Sequence, residues 1–290
     1  MTAPSFHILG APKSGTRTIE AWLRERGDVF LPEPGSENFH ATDIQDRIIC
    51  PHAYRHAFEN CGQALAGEVS CWYLYSEDAL PNILSHNPDA KFIVCLHDPA
   101  EIAWALHSDY LANRIEHVRE FNTAWALSFA RRKGRGARMT DDPKLLDYAS
   151  VCALGKQVAR LLTLVPRDHI QFVFLEDLRL QPAMEWNKIE DFLGLDSLPR
   201  NIWPIEDFVI HRPLLSLHEI MMSLKKTKRK LFPRHRSGIR IGTYINGLNR
   251  RPGVMKPMPE EARQKVSDRL SEDIATLSVL TDRDLTHWLK

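Results

Sequence analysis

Residues 7–23, HILGAPKSGTRTIEAWL, govern how the rest of the chain is read. An apolar stretch runs into Gly10, a loop of small residues follows, and a helical pattern begins near Thr18. A strand, a glycine-bounded loop and a helix in that order turn backbone N–H groups and the helix dipole towards one point, which suits an anion. Residues 10–15, GAPKSG, satisfy G-x4-G. A nucleotide triphosphatase would continue with Lys and Ser or Thr, for the β/γ-phosphates and for Mg²⁺. Here Thr16 and Arg17 hold those places, and the lysine lies inside the loop at Lys13. A lysine so placed suits a ligand held without a metal, because it brings a cation directly to the bridging oxygen of a leaving group. The hydroxyls of Thr16 and Thr18 add donors at the helix N-terminus. The bland alternative is a Gly/Ser turn that merely joins strand to helix.

Outward from this loop, short β-rich runs alternate with helical patterns. Strands are predicted at 6–9, 29–31, 68–70, 92–96 and 170–175, and helices at 18–25, 100–111, 149–164, 184–193 and 260–280. FIVCL (92–96) and IQFVFL (170–175) are near-continuous apolar runs, as expected of parallel strands covered on both faces. The alternation predicts an α/β fold of the P-loop type: a three-layer, doubly wound parallel sheet flanked by helices. One domain over 1–290 is expected, with a less regular basic segment at about 225–256 and a C-terminal helical tail. Two basic stretches fit no element: RRKGRGAR (131–138) reads as a loop, and 225–240 holds eight Lys or Arg among sixteen residues. Each is either solvated surface or a source of cations for an anionic ligand.

Composition narrows the classes. Thirty-eight Lys and Arg against 37 Asp and Glu leave a net charge of +1, so no global field marks a nucleic-acid binder. The five cysteines are scattered, with no CxxC and no Cys/His cluster, which points to neither a disulfide framework nor a zinc site. No apolar run approaches the roughly 18 residues of a membrane span, and the N-terminus lacks the pattern of a signal peptide. A soluble cytoplasmic protein with no nucleic-acid or membrane partner is expected.

P-K-S-G-T, after a first apolar strand and before a helix, resembles the 5′-phosphosulfate loop of sulfotransferases that use 3′-phosphoadenosine 5′-phosphosulfate (PAPS). Further blocks agree in order. GEVSCWYLYS (67–76) resembles that family's GE-x-S-x-x-YLY segment, and FIVCLHDPAEIAWALHSDYL (92–111) its L-R-[ND]-P-x-x-R-A-x-S block. FVFLEDLRLQPAMEWNKIEDFLGL (172–195) is similar to its segment near the end of the core. The tail, with Lys256, Pro257 and DLTHWL (284–289), resembles bacterial and heparan-type members. The resemblance implies metal-independent transfer of a sulfuryl group from PAPS, as co-substrate, to a hydroxyl or amine of a small-molecule or carbohydrate acceptor, leaving PAP. It implies that Lys13, Ser14, Gly15, Thr16, Arg17 and Thr18 wrap the 5′-phosphate and sulfate, and that Lys13 stabilises the leaving phosphate.

The chain departs from that pattern in three places. The family's 3′-phosphate contacts are an arginine and a serine eight residues on; here these are His97 and Ala105. His97 at the end of a strand, and Ser108 one helical turn beyond Ala105, are the substitutes expected to bind the donor. The family's glutamate base falls on Ser36 in an ungapped alignment. Glu37, one residue late, and His40 are therefore the candidate catalytic bases. Trp72, Tyr73, Tyr75, Trp104, His107 and Tyr110 are candidates for an acceptor site or for core. The alternative function is a sulfotransferase-fold protein with an altered donor or without catalysis, acting as a binding module.

Overall fold

The strand that opens the chain lies at the centre of the sheet. In a computed structural model, β1 (Phe6–Gly10) is flanked by β3 (Leu65–Val69) and β4 (Lys91–Leu96), with β2 (Val29–Phe30) and β5 (Ile170–Phe174) outermost. All four pairings are parallel, and the register sets His7 opposite Glu68 on one side and Phe92 on the other. The structure describes residues 4–33, 38–44, 50–133, 135, 140, 142–200, 202–205 and 256–290, and the backbone of 209–211 and 251–253. Glu37 and the basic stretch 225–240 lie outside these residues, as do positions 134 and 136–138 of RRKGRGAR.

Period-two alternation assigns the strand side chains to two cores. Phe6, Ile8, Ile93, Cys95 and Val173 face one side, against α1 (Thr16–Arg24), α9 (Leu175–Leu180) and α10 (Pro182–Leu193). Leu9, Phe92, Val94, Leu96 and Phe172 face the other, against α4 (Pro99–Ala112), α8 (Leu154–Leu164) and α11 (Glu260–Thr281). The result is the three-layer doubly wound α/β architecture expected from the alternation. On α1 the anchor is Trp22, fully buried, edge-on to Trp203 at 4.9 Å and to Trp186 at 5.8 Å, with its indole N–H on the Pro204 carbonyl. Truncating such a residue to alanine costs about 3–5 kcal/mol.

The elements differ from expectation where capping overrides periodicity. The helix expected over 149–164 is two: α7 (Tyr148–Val151), capped by the Asp147 side chain, and α8. Asp273 of α11 accepts the N–H groups of Gly155 and Lys156, fixing where α8 begins. Short helices α2 (Pro51–His56), α3 (Ala79–His86), α5 (Phe121–Ala126) and α6 (Ser128–Arg132) add to the predicted set. The loop expected at RRKGRGAR is corrected at its start: Arg131 and Arg132 form the end of α6, and Arg131 is fully buried, 2.6 Å from Oε2 of the equally buried Glu116. A separate antiparallel pair joins β6 (Val209–His211) and β7 (Arg251–Gly253). Among the described residues no helix is long and apolar enough to cross a membrane.

Candidate active site

The loop between β1 and α1 is shaped by three residues with positive φ. Gly10 (φ 126°) must be glycine, because a Cβ there would lie 2.5 Å from the Cys71 carbonyl oxygen. Gly15 (φ 90°) caps α1, and its missing Cβ leaves room for Leu175. Lys13 (φ 63°) is left-handed as well, which costs a non-glycine residue roughly 1–2 kcal/mol. Two left-handed residues in one tight loop turn successive N–H groups to the same side. Among the described residues, the backbone N–H groups of Lys13, Ser14, Gly15, Thr16 and Arg17 have no protein acceptor. The loop is tied to the sheet by Ala11 N–H on the Cys95 carbonyl, at 2.6 Å. Ser14 is buried with its hydroxyl directed back to the Pro12 carbonyl. Thr16 and Thr18 are buried and Arg17 is exposed. The Lys13 ammonium, a quarter exposed, forms an ion pair with Asp109 of α4 at 3.0 Å. Ser108, half-buried, is the residue before Asp109.

His97 follows β4 directly, at the carboxyl end of the sheet where ligands of open α/β folds bind. It is buried, with Nδ1 3.5 Å from Glu176. Burial pushes the Glu176 carboxyl up, but contact with His97 and the Trp288 indole N–H holds it below the usual range. Asp98 caps α4 through the Ala100 N–H and receives Arg263 at 2.5 Å; Arg263 also pairs with Glu101. Ala105 is buried on the same helix.

His40 lies in the loop after β2, almost fully buried. Its Nε2 meets the Tyr54 hydroxyl at 3.1 Å, and its Nδ1 has no partner. Burial lowers its pKa to about 4, Glu68 opposing and His7 and His86 adding to the fall. Of the aromatic candidates, Tyr73, His107 and Tyr110 are buried core residues. Trp72, Tyr75 and Trp104 are half-buried. Tyr75 lines a cleft of about 460 Å³ into which Arg132, Lys144, Lys156, Arg160 and Arg269 project beside Asp43, Glu77 and Asp147. Arg160 clasps the carbonyls of Leu74, Tyr75 and Ser76. Neither Asp109 nor Arg160 carries a local sequence signal. Their partners are remote, and the ion pair of Lys13 spans 96 positions.

The structure is similar over its whole length to a sulfotransferase from Alicyclobacillus acidocaldarius, with a TM-score of 0.73 and 20% identity, covering all of both chains. In sequence, 66% of the chain is 30% identical to mouse heparan sulfate glucosamine 3-O-sulfotransferase 6, over 52% of that protein. An equal share is 22% identical to human bifunctional heparan sulfate N-deacetylase/N-sulfotransferase 3, over 22% of that protein. The match thus spans between about a fifth and a half of the length of these curated relatives. No family model matches the chain.

Proposed function

Since the chain belongs to the sulfotransferase family, of the bacterial and heparan type, we propose that it transfers a sulfuryl group from PAPS to a hydroxyl or amine of a carbohydrate acceptor. The observation that carries this reading is the loop at 10–18: five adjacent N–H groups without an acceptor among the described residues, with the Lys13 ammonium at its mouth. These donors fit a 5′-phosphosulfate, and the hydroxyl of Thr16 adds to them. Bound PAPS supplies the activated sulfur, whose bond to the 5′-phosphate oxygen breaks as the bond to the acceptor forms. The chain's own part is to hold that phosphate, to place Lys13 against charge growing on its bridging oxygen, and to accept the acceptor's proton at Glu37 or His40. His97 and Ser108 are assigned to the 3′-phosphate. The relatives' names speak of heparan sulfate glucosamine, and the cleft beside Tyr75 carries five cationic side chains against three carboxylates. Both support an acidic, glucosamine-containing acceptor.

Calorimetry with PAP tests the donor. Micromolar binding that Lys13→Ala weakens is expected, and no binding at near-millimolar PAP overturns the proposal. One observation favours a second reading, a donor without the 3′-phosphate: Glu176 sets a carboxylate 3.5 Å from His97, where an arginine was due. Tighter binding of 5′-AMP than of PAP would select it.

A further inference from the structure

Behind the donor loop lies a group of buried ionisable side chains centred on Glu68, with His40 among them. Glu68 of β3 is 1% exposed. It accepts from the Tyr54 hydroxyl at 2.6 Å and the Tyr73 hydroxyl at 2.5 Å, with His7 Nδ1 at 3.4 Å and His40 Nε2 at 3.7 Å. These partners come from four places in the chain: β1, the loop at 38–44, α2 and the segment after β3. Burial pushes the Glu68 carboxyl up, yet His7, His40 and Tyr54 hold it below the usual carboxylate range. A buried charge with this many partners is costly to assemble, and an apolar residue of the same volume often serves stability as well. What the carboxylate adds is geometry.

Tyr73 hands that geometry on, since its oxygen also receives the backbone N–H of His40 at 3.2 Å. Asn82 donates to the His40 carbonyl at 2.8 Å, and the Ser70 hydroxyl binds Asn38 at 2.5 Å. On its other side the same segment is sewn to the donor strand: Ser70 N–H to the Ile8 carbonyl, Leu74 N–H to Leu9, and the Cys71 carbonyl against Gly10. Glu68 therefore sits at the junction between the loop that follows β2 and the loop that holds the anion. The proton count also fixes His40. Tyr54 spends its only proton on Glu68, so its oxygen accepts from His40 Nε2–H. The lone pair left on His40, at Nδ1, is buried without a partner.

We propose that Glu68 is a positioning residue for the proposed sulfuryl transfer, holding the loop at 38–44 in register with the donor loop through Tyr73, Tyr54 and His40, and that His40 serves this anchor and not as the base. The inference rests on the transferase reading for its catalytic consequence alone. The tests are Tyr73→Phe, Tyr54→Phe and Glu68→Gln in the full chain, beside His40→Gln. Hydrogen exchange is read first, because it needs no substrate. Tyr73→Phe should speed amide exchange tenfold or more across 38–44 and 70–76, leaving β4 and β5 protected. Unchanged exchange in all three network variants overturns the anchor, whether or not PAP binds. Turnover is then read as PAP release from PAPS with a glucosamine-containing oligosaccharide. Tyr73→Phe should keep PAP affinity within about twofold and lose tenfold in kcat, and His40→Gln should keep the wild-type pH profile. Loss of the acidic limb in His40→Gln makes His40 the base and overturns that half. Wild-type protein that binds no PAP defeats the function proposed above and leaves the exchange result to decide the anchor.

Discussion

Lys13 Nζ lies 3.0 Å from Asp109 Oδ2, which joins the donor loop to the second half of α4. In the proposed function, an incoming phosphate must compete with that carboxylate for the ammonium. A partly exposed pair of this kind is worth about 0.2–1 kcal/mol. Asp109→Asn should therefore tighten PAP binding by up to roughly fivefold. Lys13→Ala should weaken it by roughly ten- to a hundredfold, the range of a hydrogen bond to a charged group. Equal affinity of Asp109→Asn and wild type in calorimetry would mean that Lys13 never leaves its partner.

If His97 faces a 3′-phosphate, as proposed, His97→Arg exchanges an imidazole for a bidentate guanidinium, the better partner for a phosphate. It should tighten PAP several-fold and leave 5′-AMP unchanged. An equal effect on both ligands would remove residue 97 from the 3′-phosphate.

With His40 assigned to the anchor, Glu37 is the candidate base to test at saturating donor. Glu37→Gln should lower turnover by roughly tenfold or more, the scale of general-base contributions. A wild-type rate in that variant would exclude Glu37 as the base.

His40 also predicts how stability follows pH. Its pKa falls from 6.5 unfolded to about 4 folded. The folded state thus binds fewer protons in that window, and stability rises with pH there. The contribution is complete above 6.5 and is lost as pH falls towards 4, about 3 kcal/mol in all. Glu68, also held low, extends the loss below its ordinary value of 4.5. Denaturant melts between pH 4 and 7 should show a steep slope that His40→Gln flattens; parallel curves would contradict it.

In the second core, Glu116 accepts from Arg131, the Tyr148 hydroxyl and two backbone N–H groups. Arg131→Met leaves that carboxylate buried without its cation and should cost about 3–5 kcal/mol. Adding Glu116→Leu should recover much of the loss, as read by urea midpoints.

The sheet and the shape of the loop at 10–15 were legible because both are written locally. FIVCL and IQFVFL are apolar without interruption, since parallel strands are covered on both faces, and GAPKSGT carries its glycines where the backbone turns left-handed. The start of α1 was placed two residues late because Gly15, with no side chain to cap, gives no ordinary N-cap signal. The break between α7 and α8 was hidden because the residue that caps α8, Asp273, lies more than a hundred positions away. The same distance concealed Asp109 beside Lys13. RRKGRGAR read as a loop, either solvated surface or a source of cations, since nothing near it in sequence announces that Glu116 will bury Arg131. His40 was visible as an imidazole of suitable pKa, but its surroundings of Tyr54, Tyr73 and Glu68 emerge only when three separate segments meet.

The final helix and the turn after it supply three groups to the carboxyl ends of β4 and β5: Arg263 to Asp98 and Glu101, Arg283 to Asp177, and the Trp288 indole to Glu176. A nascent chain that has been synthesised through β5 already owns every strand of its central sheet, yet the residues beside His97 still await partners made more than eighty positions later. Translation order thus separates scaffold from site: residues 263–288 complete the surroundings of β4 only after all five strands of the central sheet have been made.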